Sequence, residues 1–364
     1  MLDTARMGMM NDPSLWGDSY QKLIQNHGDP GILRPWLGRD GRSYITRMVQ
    51  NERTGIWEKR NFVSNTPATL TYDAWKQFDN TVIQVLRERL VAFADLRNRG
   101  LVYNLPNGMA HTVLQYQTMG DITGASIGMS PARRSEGDRP ESDLALFPLP
   151  LVYKDFDIDQ RELMTSRLGV MPLDTTNASL SARKVAEALE DMTLGTAAVF
   201  KYAGTSVYGY TNHPGRNVKS DMTVPTGANG PTVLGDILTL RQMLIDDKHY
   251  GPYVVYVNTQ WSEVLDDDFN TAKGSDTLRQ RILRLPDIQD VKTADRLPTS
   301  NWHIVMVEMK SEVVRAVMGM EVQTVQWESQ GGFMKHYKVI CLQVPQIRYD
   351  QNGTTVGIAH GRSA

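Results

Sequence analysis

Leu146-Phe-Pro-Leu-Pro-Leu-Val-Tyr-Lys-Asp-Phe-Asp-Ile-Asp-Gln-Arg161 opens the stretch on which the fold turns, and Gly209-Tyr-Thr-Asn-His-Pro214 closes it. The opening segment reads as a strand: Leu149, Leu151 and Tyr153 point one way, and Phe156 and Ile158 continue after a slip at Lys154-Asp155. Pro148 and Pro150 cannot donate to a ladder, so the strand begins beside a free edge. Between the two segments lies the strongest helical period in the chain. Ala182, Val185, Ala186, Leu189, Thr193, Ala197 and Phe200 recur at i, i+3, i+4 and i+7. Asp174 and Ser179 are candidate N-caps and Gly204 the expected stop. A helix over 179–203 would run roughly 37 Å. Its Ala-rich stripe allows a sheet to approach closely, and a helix of that length needs such a cover. It reads as a spine and not as a catalytic element.

Working outward, composition excludes several classes. Lys and Arg number 39 against 41 Asp and Glu, a net charge of −2. A dedicated nucleic-acid binder would carry a basic stripe. No run of about 18 apolar residues exists for a membrane span. Met1-Leu-Asp-Thr-Ala-Arg-Met7 lacks the basic start and apolar core of a signal peptide, so the cytoplasm is the default compartment. The single cysteine, Cys341, permits neither an internal disulfide nor a cysteine-based zinc site, and its apolar strand context reads as a packed thiol.

Residues 1–70 read as extended, with scattered Gly, Pro, Asn and Asp and single aromatics at Trp16, Tyr20, Trp36, Tyr44 and Trp57. The segment is too aromatic for a solvated tail. Two readings stand: an arm docking its aromatics on a neighbouring surface, or an arm packed on its own body. A helix is expected over 71–98, with Trp75, Phe78, Val82, Leu86, Leu90, Phe93 and Leu96 as its stripe. Leu101 to Met119 reads as two strands joined in a hairpin at Asn107-Gly108. Residues 121–143 are Gly- and Ser-rich, then charged, and read as the tip of a protruding hairpin. That tip is either a mobile surface loop or a charged arm reaching another subunit. Helices at 232–247, 259–267 and 278–285 alternate with buried strands at 252–258 and 302–308, which indicates a compact α/β unit. Strands are also expected at 313–318, 321–327 and 335–349, and 353–364 reads as a polar tail.

The search for chemistry finds no H-E-x-x-H, G-x-S-x-G, C-x-x-C or phosphate-loop pattern. The seven histidines form no pair at i, i+3 or i+4, so no metal site is indicated. His303 lies in an apolar strand and reads as a satisfied core histidine. Asp266-Asp-Asp268 reads as a solvated helix end more readily than a cation site. Glu187, Glu190 and Asp191 fall on the polar side of the spine helix, where they would meet Arg or Lys. No cofactor and no catalytic residue is assigned.

Several strings, in order, resemble the encapsulin-like branch of tailed-bacteriophage major capsid proteins, which have the HK-97-type fold. They are Trp75-Lys-Gln-Phe-Asp79, Leu149-Pro-Leu-Val-Tyr-Lys-Asp-Phe156, Ala182-Arg-Lys-Val-Ala-Glu-Ala-Leu-Glu190, Gly209-Tyr-Thr-Asn-His-Pro214 and Gly251-Pro-Tyr-Val-Val-Tyr-Val-Asn-Thr-Gln-Trp261, covering roughly residues 71–350. The resemblance implies an α+β capsid fold. A long N-terminal arm would occupy 1–70. A peripheral domain would take 71–230 and 331–364, with its spine helix at about 179–203 and an extended-loop hairpin at about 104–147. An α/β axial domain would take 231–330. It implies a structural protein with no enzymatic activity, assembling with itself as hexamers and pentamers into an icosahedral shell around double-stranded DNA. Decoration or scaffolding proteins are further partners the resemblance allows, a membrane is not, and the location is the virion, assembled in the host cytoplasm. Candidate inter-subunit residues are Trp16, Trp36 and Trp57 on the arm, and Arg133, Arg134, Glu136, Asp138 and Arg139 on the charged loop.

A second reading keeps the fold: an encapsulin-type shell of a bacterial nanocompartment that packages cargo enzymes. The chain departs from that kind in about 70 residues before Trp75 and in a longer loop at 121–145. A strap in front of the first helix would obstruct a cargo surface there. A third reading, an α/β enzyme with 231–330 as its catalytic domain, lacks nameable residues.

Overall fold

The computed structural model describes residues 34–50, 57–64, 70–119, 124–125, 127, 129, 139, 142–167, 175–226, 229–268, 276–329, 333–349 and 356–363. In chain order come β1 (Trp36–Leu37), β2 (Ser43–Gln50), β3 (Trp57–Val63), β4 (Leu70–Thr71) and helices Tyr72–Arg89 and Ala92–Asn98. β5 (Val102–Asn104), β6 (Val113–Met119), β7 (Ser142–Pro148) and β8 (Val152–Asp159) precede the helix Gln160–Arg167 and the spine helix Thr176–Leu194. β9 (Phe200–Tyr202), β10 (Thr205–Val207) and β11 (Asn217–Met222) lead to the helix Gly230–Asp246 and β12 (Tyr253–Val257). Helices Trp261–Asp266 and Leu278–Leu283 precede β13 (Ile288–Thr293), β14 (Ile304–Glu308), β15 (Val314–Ser329), β16 (Met334–Ile347) and β17 (Ile358–Ser363).

Two sheets carry the body. The peripheral sheet runs β5-β15-β16-β8 and the axial sheet β11-β17-β14-β12-β13. The spine helix covers one face of the peripheral sheet. Its Ala178, Ala182, Val185, Ala186 and Leu189 pack on Phe156, Ile158, Tyr337, Val339 and Cys341. The alanines allow the close approach expected of them, and Trp75 of the first helix closes the same core edge-on against Tyr337, 6.1 Å between centroids. On the opposite face Met109, Leu114, Phe147 and Leu149 meet Val317, Ile340, Leu342 and Val344, which anchors the base of the β6–β7 hairpin. In the axial sheet β12 and β14 are buried along their whole length. Tyr253, Val255 and Val257 face the helix Gly230–Asp246, while Val254 and Tyr256 face Phe93, Leu96, Leu194 and Tyr210. That second layer joins the axial sheet to the spine, and explains why these strands read as continuous apolar runs.

The structure corrects several expectations. The spine helix ends at Leu194, nine residues before the expected limit at 203, and spans 19 residues or about 28 Å. Gly195 is left-handed, and the N–H groups of Gly195, Thr196 and Ala197 all reach the Asp191 carbonyl, so the ladder closes there. Ala197 and Phe200 continued the period by coincidence: Phe200 begins the β9–β10 hairpin, and Gly204 lies in its turn. Ser179 lies inside the helix and donates to the Thr176 carbonyl at 2.7 Å, so it caps nothing. The helix expected over 71–98 breaks at Leu90-Val91, where Ala92–Asn98 starts afresh.

Asn107-Gly108 does not make a hairpin. Asn107 is left-handed, but β5 pairs with β15 and β6 with β7, so the turn passes the chain from one sheet to another. A Cβ on Gly108 would lie 2.4 Å from the Gly319 Cα, so only glycine permits this crossing. The strand expected over 146–161 is the end of β7, a corner at 149–151, and β8. The strands expected at 313–318 and 321–327 are one, β15. The tail expected at 353–364 ends in β17, a buried strand between β11 and β14. The sheets therefore cross the boundaries at 231 and 331: β11 and β17 belong with the axial sheet, β15 with the peripheral one.

Candidate functional site

The residues weighed for chemistry are occupied structurally. Cys341 is buried, donates to the Val152 carbonyl at 3.7 Å, and burial pushes its thiol up to about 12. His303 is a core residue, as its strand context indicated. It stacks on His360 with 2.9 Å between Nδ1 and Nε2. Asp266 pairs with Arg279 at 2.9 Å, and Asp267 accepts the Asp268 N–H. Among the described residues no group of three or more His, Cys, Asp or Glu is placed to hold a metal ion. Among them, too, no helix is long and apolar enough to cross a membrane.

One carboxylate departs from its expected place. Glu187 meets Lys184 and Arg183, and Asp191 meets Arg296. Glu190, expected on the polar side, is fully buried. Its Oε1 accepts the Ala92 N–H at 2.7 Å and its Oε2 the Phe93 N–H at 3.3 Å, so it caps the helix Ala92–Asn98. This is why the expected helix breaks: a new N-terminus with free donors forms around a carboxylate. Burial pushes Glu190 up to about 7, against the pull of those donors. Beside it, Asp95 accepts the Tyr256 hydroxyl at 2.9 Å and pairs with Lys292. Glu190, Asp191 and Asp95 thus bolt the spine helix, the helix Ala92–Asn98 and the axial sheet together.

The remaining features are surfaces. Among the described residues β6 and β7 pair only with each other in the sheet order. Their register places Gln117 opposite Leu144 and Gln115 opposite Leu146, so one ribbon face carries both leucines. Leu144 is 67% exposed. Ile127 and Met129, toward the tip, stand fully in solvent. At the distal end of the peripheral sheet Phe333 is 72% exposed, with Met164 also exposed on the neighbouring helix. Isolated two-stranded ribbons are marginal in water, and exposed apolar side chains at successive same-face positions mark contact surfaces. The sequence reading did not single out Leu144 and Leu146, although their spacing of two beside a Gly- and Ser-rich segment was a usable signal of an apolar ribbon face.

Of the candidate contact residues, Trp16, Arg133, Arg134, Glu136 and Asp138 lie outside the described residues, and Arg139 is exposed. Trp57 opens β3 opposite Gln50, and its ring lies outside the described side chains. Trp36 is engaged within its own chain. Its ring stacks on Tyr44 at 5.0 Å and meets Tyr72 edge-on at 5.6 Å, and its indole N–H donates to Thr46. Arg34 grips Asp79 through one nitrogen at 2.7 and 2.8 Å and lies over Trp75, whose N–H donates to the Pro35 carbonyl. The described base of the arm therefore packs on its own body.

The sequence is 24% identical over 200 residues to the type 1 encapsulin shell protein EncA of Myxococcus xanthus (strain DK1622), a match spanning 54% of this chain and 64% of that relative. The virus-like particle from Pyrococcus furiosus superposes with a TM-score of 0.55 at 13% identity, over 79% of this chain and 99% of that one. The capsid of Myoviridae phage XM1 gives a TM-score of 0.55 at 11% identity, over 73% and 91%. These likenesses establish the HK-97-type capsid fold. The sequence model of the family of unknown function DUF6260 matches residues 65–355, and the chain belongs to that family.

Proposed function

We propose that this chain is the subunit of a closed protein shell, and specifically the major capsid protein of a tailed bacteriophage. It would assemble as hexamers and pentamers around double-stranded DNA, with a structural and not an enzymatic role, in a virion built in the host cytoplasm. The β6–β7 ribbon carries this reading. It leaves Leu144 largely exposed and Leu146 partly exposed on one face, and a second copy lying against that face would bury them. Many weak contacts of this kind multiply in a closed shell. The net charge of −2 keeps self-repulsion small and offers DNA no sequence-reading surface.

The encapsulin-type nanocompartment is the second reading, and the 24% identity to a shell protein of that kind favours it. Against it stands the strap. Arg34, Pro35 and Trp36 lie on the first helix at Asp79, Trp75 and Tyr72, over the surface where a cargo peptide would sit.

Negative-stain microscopy after size exclusion tests the shell: closed particles, or rings of five and six, are expected. A protein that stays monomeric or dimeric at high concentration sinks it. The contents of the particles separate the readings, since nuclease-protected DNA in particles from infected cells indicates a virion and a co-purifying enzyme a nanocompartment.

A further inference from the structure

Among the described residues two strand edges have no partner on their outer side, and we propose that they pair between copies: β3 of one subunit adds to β8 of another. The inference deepens the shell reading and rests on it. β3 is the outer strand of the order β3-β2-β1-β4, and β8 the outer strand of β5-β15-β16-β8.

The hydrogen-bond phase of each edge follows from one bond and the register. Ser64 N–H donates to the Ser43 carbonyl at 2.8 Å, so residues 60 and 62 bond inward to β2. Lys59, Asn61 and Val63 then direct their backbone groups outward. Gln160 N–H donates to the Phe333 carbonyl at 3.0 Å, so residues 154, 156 and 158 bond inward to β16. Tyr153, Asp155, Asp157 and Asp159 direct theirs outward. The two edges are seven and eight residues long, about 23 and 26 Å, so each can satisfy the other along its length.

Charge favours this pairing over the edges of the axial sheet. β8 carries Asp155, Asp157 and Asp159 against Lys154. On β3 the outward-bonding set carries Lys59, which would share a face with these aspartates, while Arg60 and its β2 partner Arg47 lie on the other face. Lys338 and His336 hold Asp155 and Asp157 on the open face, where their side chains stay 46% and 51% exposed. Both edges of the axial sheet carry mixed charge, Asp290 with Lys292 on β13 and Lys219 with Asp221 on β11. A long unpaired edge is otherwise an aggregation hazard, and β3 also exposes Phe62 and Val63. Strand addition covers the edge with main-chain bonds and lets the charges set the partner.

The test uses the full chain. Shells reassembled from equal amounts of ¹⁴N- and ¹⁵N-labelled subunits are treated with a carbodiimide, which joins an amine to a carboxyl group without a spacer. Mixed-isotope peptides linking Lys59 to Asp155, Asp157 or Asp159 are expected. Lys59→Pro removes an outward N–H and no bond to β2, and should raise the subunit concentration needed for assembly by about tenfold. If Lys59→Pro does not fold, as read by circular dichroism, Lys59→Glu takes its place, with rescue expected from Asp159→Lys. Shells that give no mixed-isotope link at Lys59 and assemble unchanged in the variants overturn the pairing and leave the shell reading intact. Absence of particles from the unaltered chain overturns both.

Discussion

The axial sheet and the β6–β7 ribbon are both built of paired strands and end in opposite situations. β12 and β14 are covered on both faces by their own chain, with a helix on one side and the spine junction on the other. β6 and β7 have each other, a base anchored at Leu114, Phe147 and Val207, and β10 beside β7, while Leu144 stays 67% exposed. The difference divides the molecule by where its stability comes from. The axial sheet is stabilised within the subunit, and on the proposed shell reading the ribbon is covered by a neighbour. A shell subunit uses both: a body that folds before assembly, and projections whose apolar area is covered only by assembly.

The comparison breaks first if the axial core proves dispensable. Trp261 is fully buried against Trp302, 5.9 Å between centroids, and Trp261→Ala should cost about 3–5 kcal/mol of subunit stability in urea unfolding. A loss below about 1 kcal/mol would mean that the sheet does not stand on its own packing.

The next largest effect lies at the joint. The folded-state pKa of Glu190 is raised to about 7 from an ordinary 4.5. The folded state therefore holds a proton that the unfolded state has released. The Glu190 contribution is fully present below about pH 4.5 and lost as pH rises to 7, by about 3 kcal/mol. Urea midpoints across that range should fall with pH, and Glu190→Gln, which still accepts the Ala92 N–H, should flatten the slope. An unchanged slope would show that the joint does not titrate.

His360 has the opposite sign. Burial, then His303, Arg216 and Arg362 hold it down to about 3 from an ordinary 6.5. Arg216 donates to its Nδ1, so the ring sits neutral between a cation and a second imidazole. Its contribution is present above about pH 6.5 and falls as pH drops, by about 2 kcal/mol at pH 5. Acid should open β17 from the axial sheet, seen as faster amide exchange at residues 358–363. His360→Gln should remove that dependence. Glu190 and His360 thus give the joint and the axial sheet separate pH signatures.

The smallest effect on the isolated subunit sharpens the contrast most. Leu144→Ser changes an exposed side chain and should alter subunit stability by less than about 0.5 kcal/mol, while lowering the yield of closed particles in light scattering. A variant that assembles like the original would mean that the leucine face of the ribbon is not a contact.

Local patterns were legible wherever one element buries one face. The spine stripe from Ala182 to Thr193 was readable from its spacing, and so were β12, β14 and the packed Cys341. The misreadings share one cause: a distant partner overrode the local pattern. Phe200 keeps the helical period but falls beyond the terminus at Gly195. Leu90 and Val91 carry no breaking residue, and Glu190 ends the helix there from 98 positions away. Gly108 looked like a hairpin glycine because its partner, Gly319, is far along the chain. The terminal strand has Gly357 and Gly361 and little apolar periodicity. It is buried because β11 and β14 flank it on both sides.

By itself, the sequence determined which segments are helical or extended, which faces are apolar, and the capsid-type order of elements. Those properties depend on spacing along the chain, and side-chain sterics and hydrophobicity write them locally. Only the tertiary structure decided where the spine stops, which sheet receives β11, β15 and β17, that Glu190 turns inward, and which strand edges are left open. Those depend on groups brought together from distant positions, where an unmet N–H or carboxylate takes whatever partner the packing supplies.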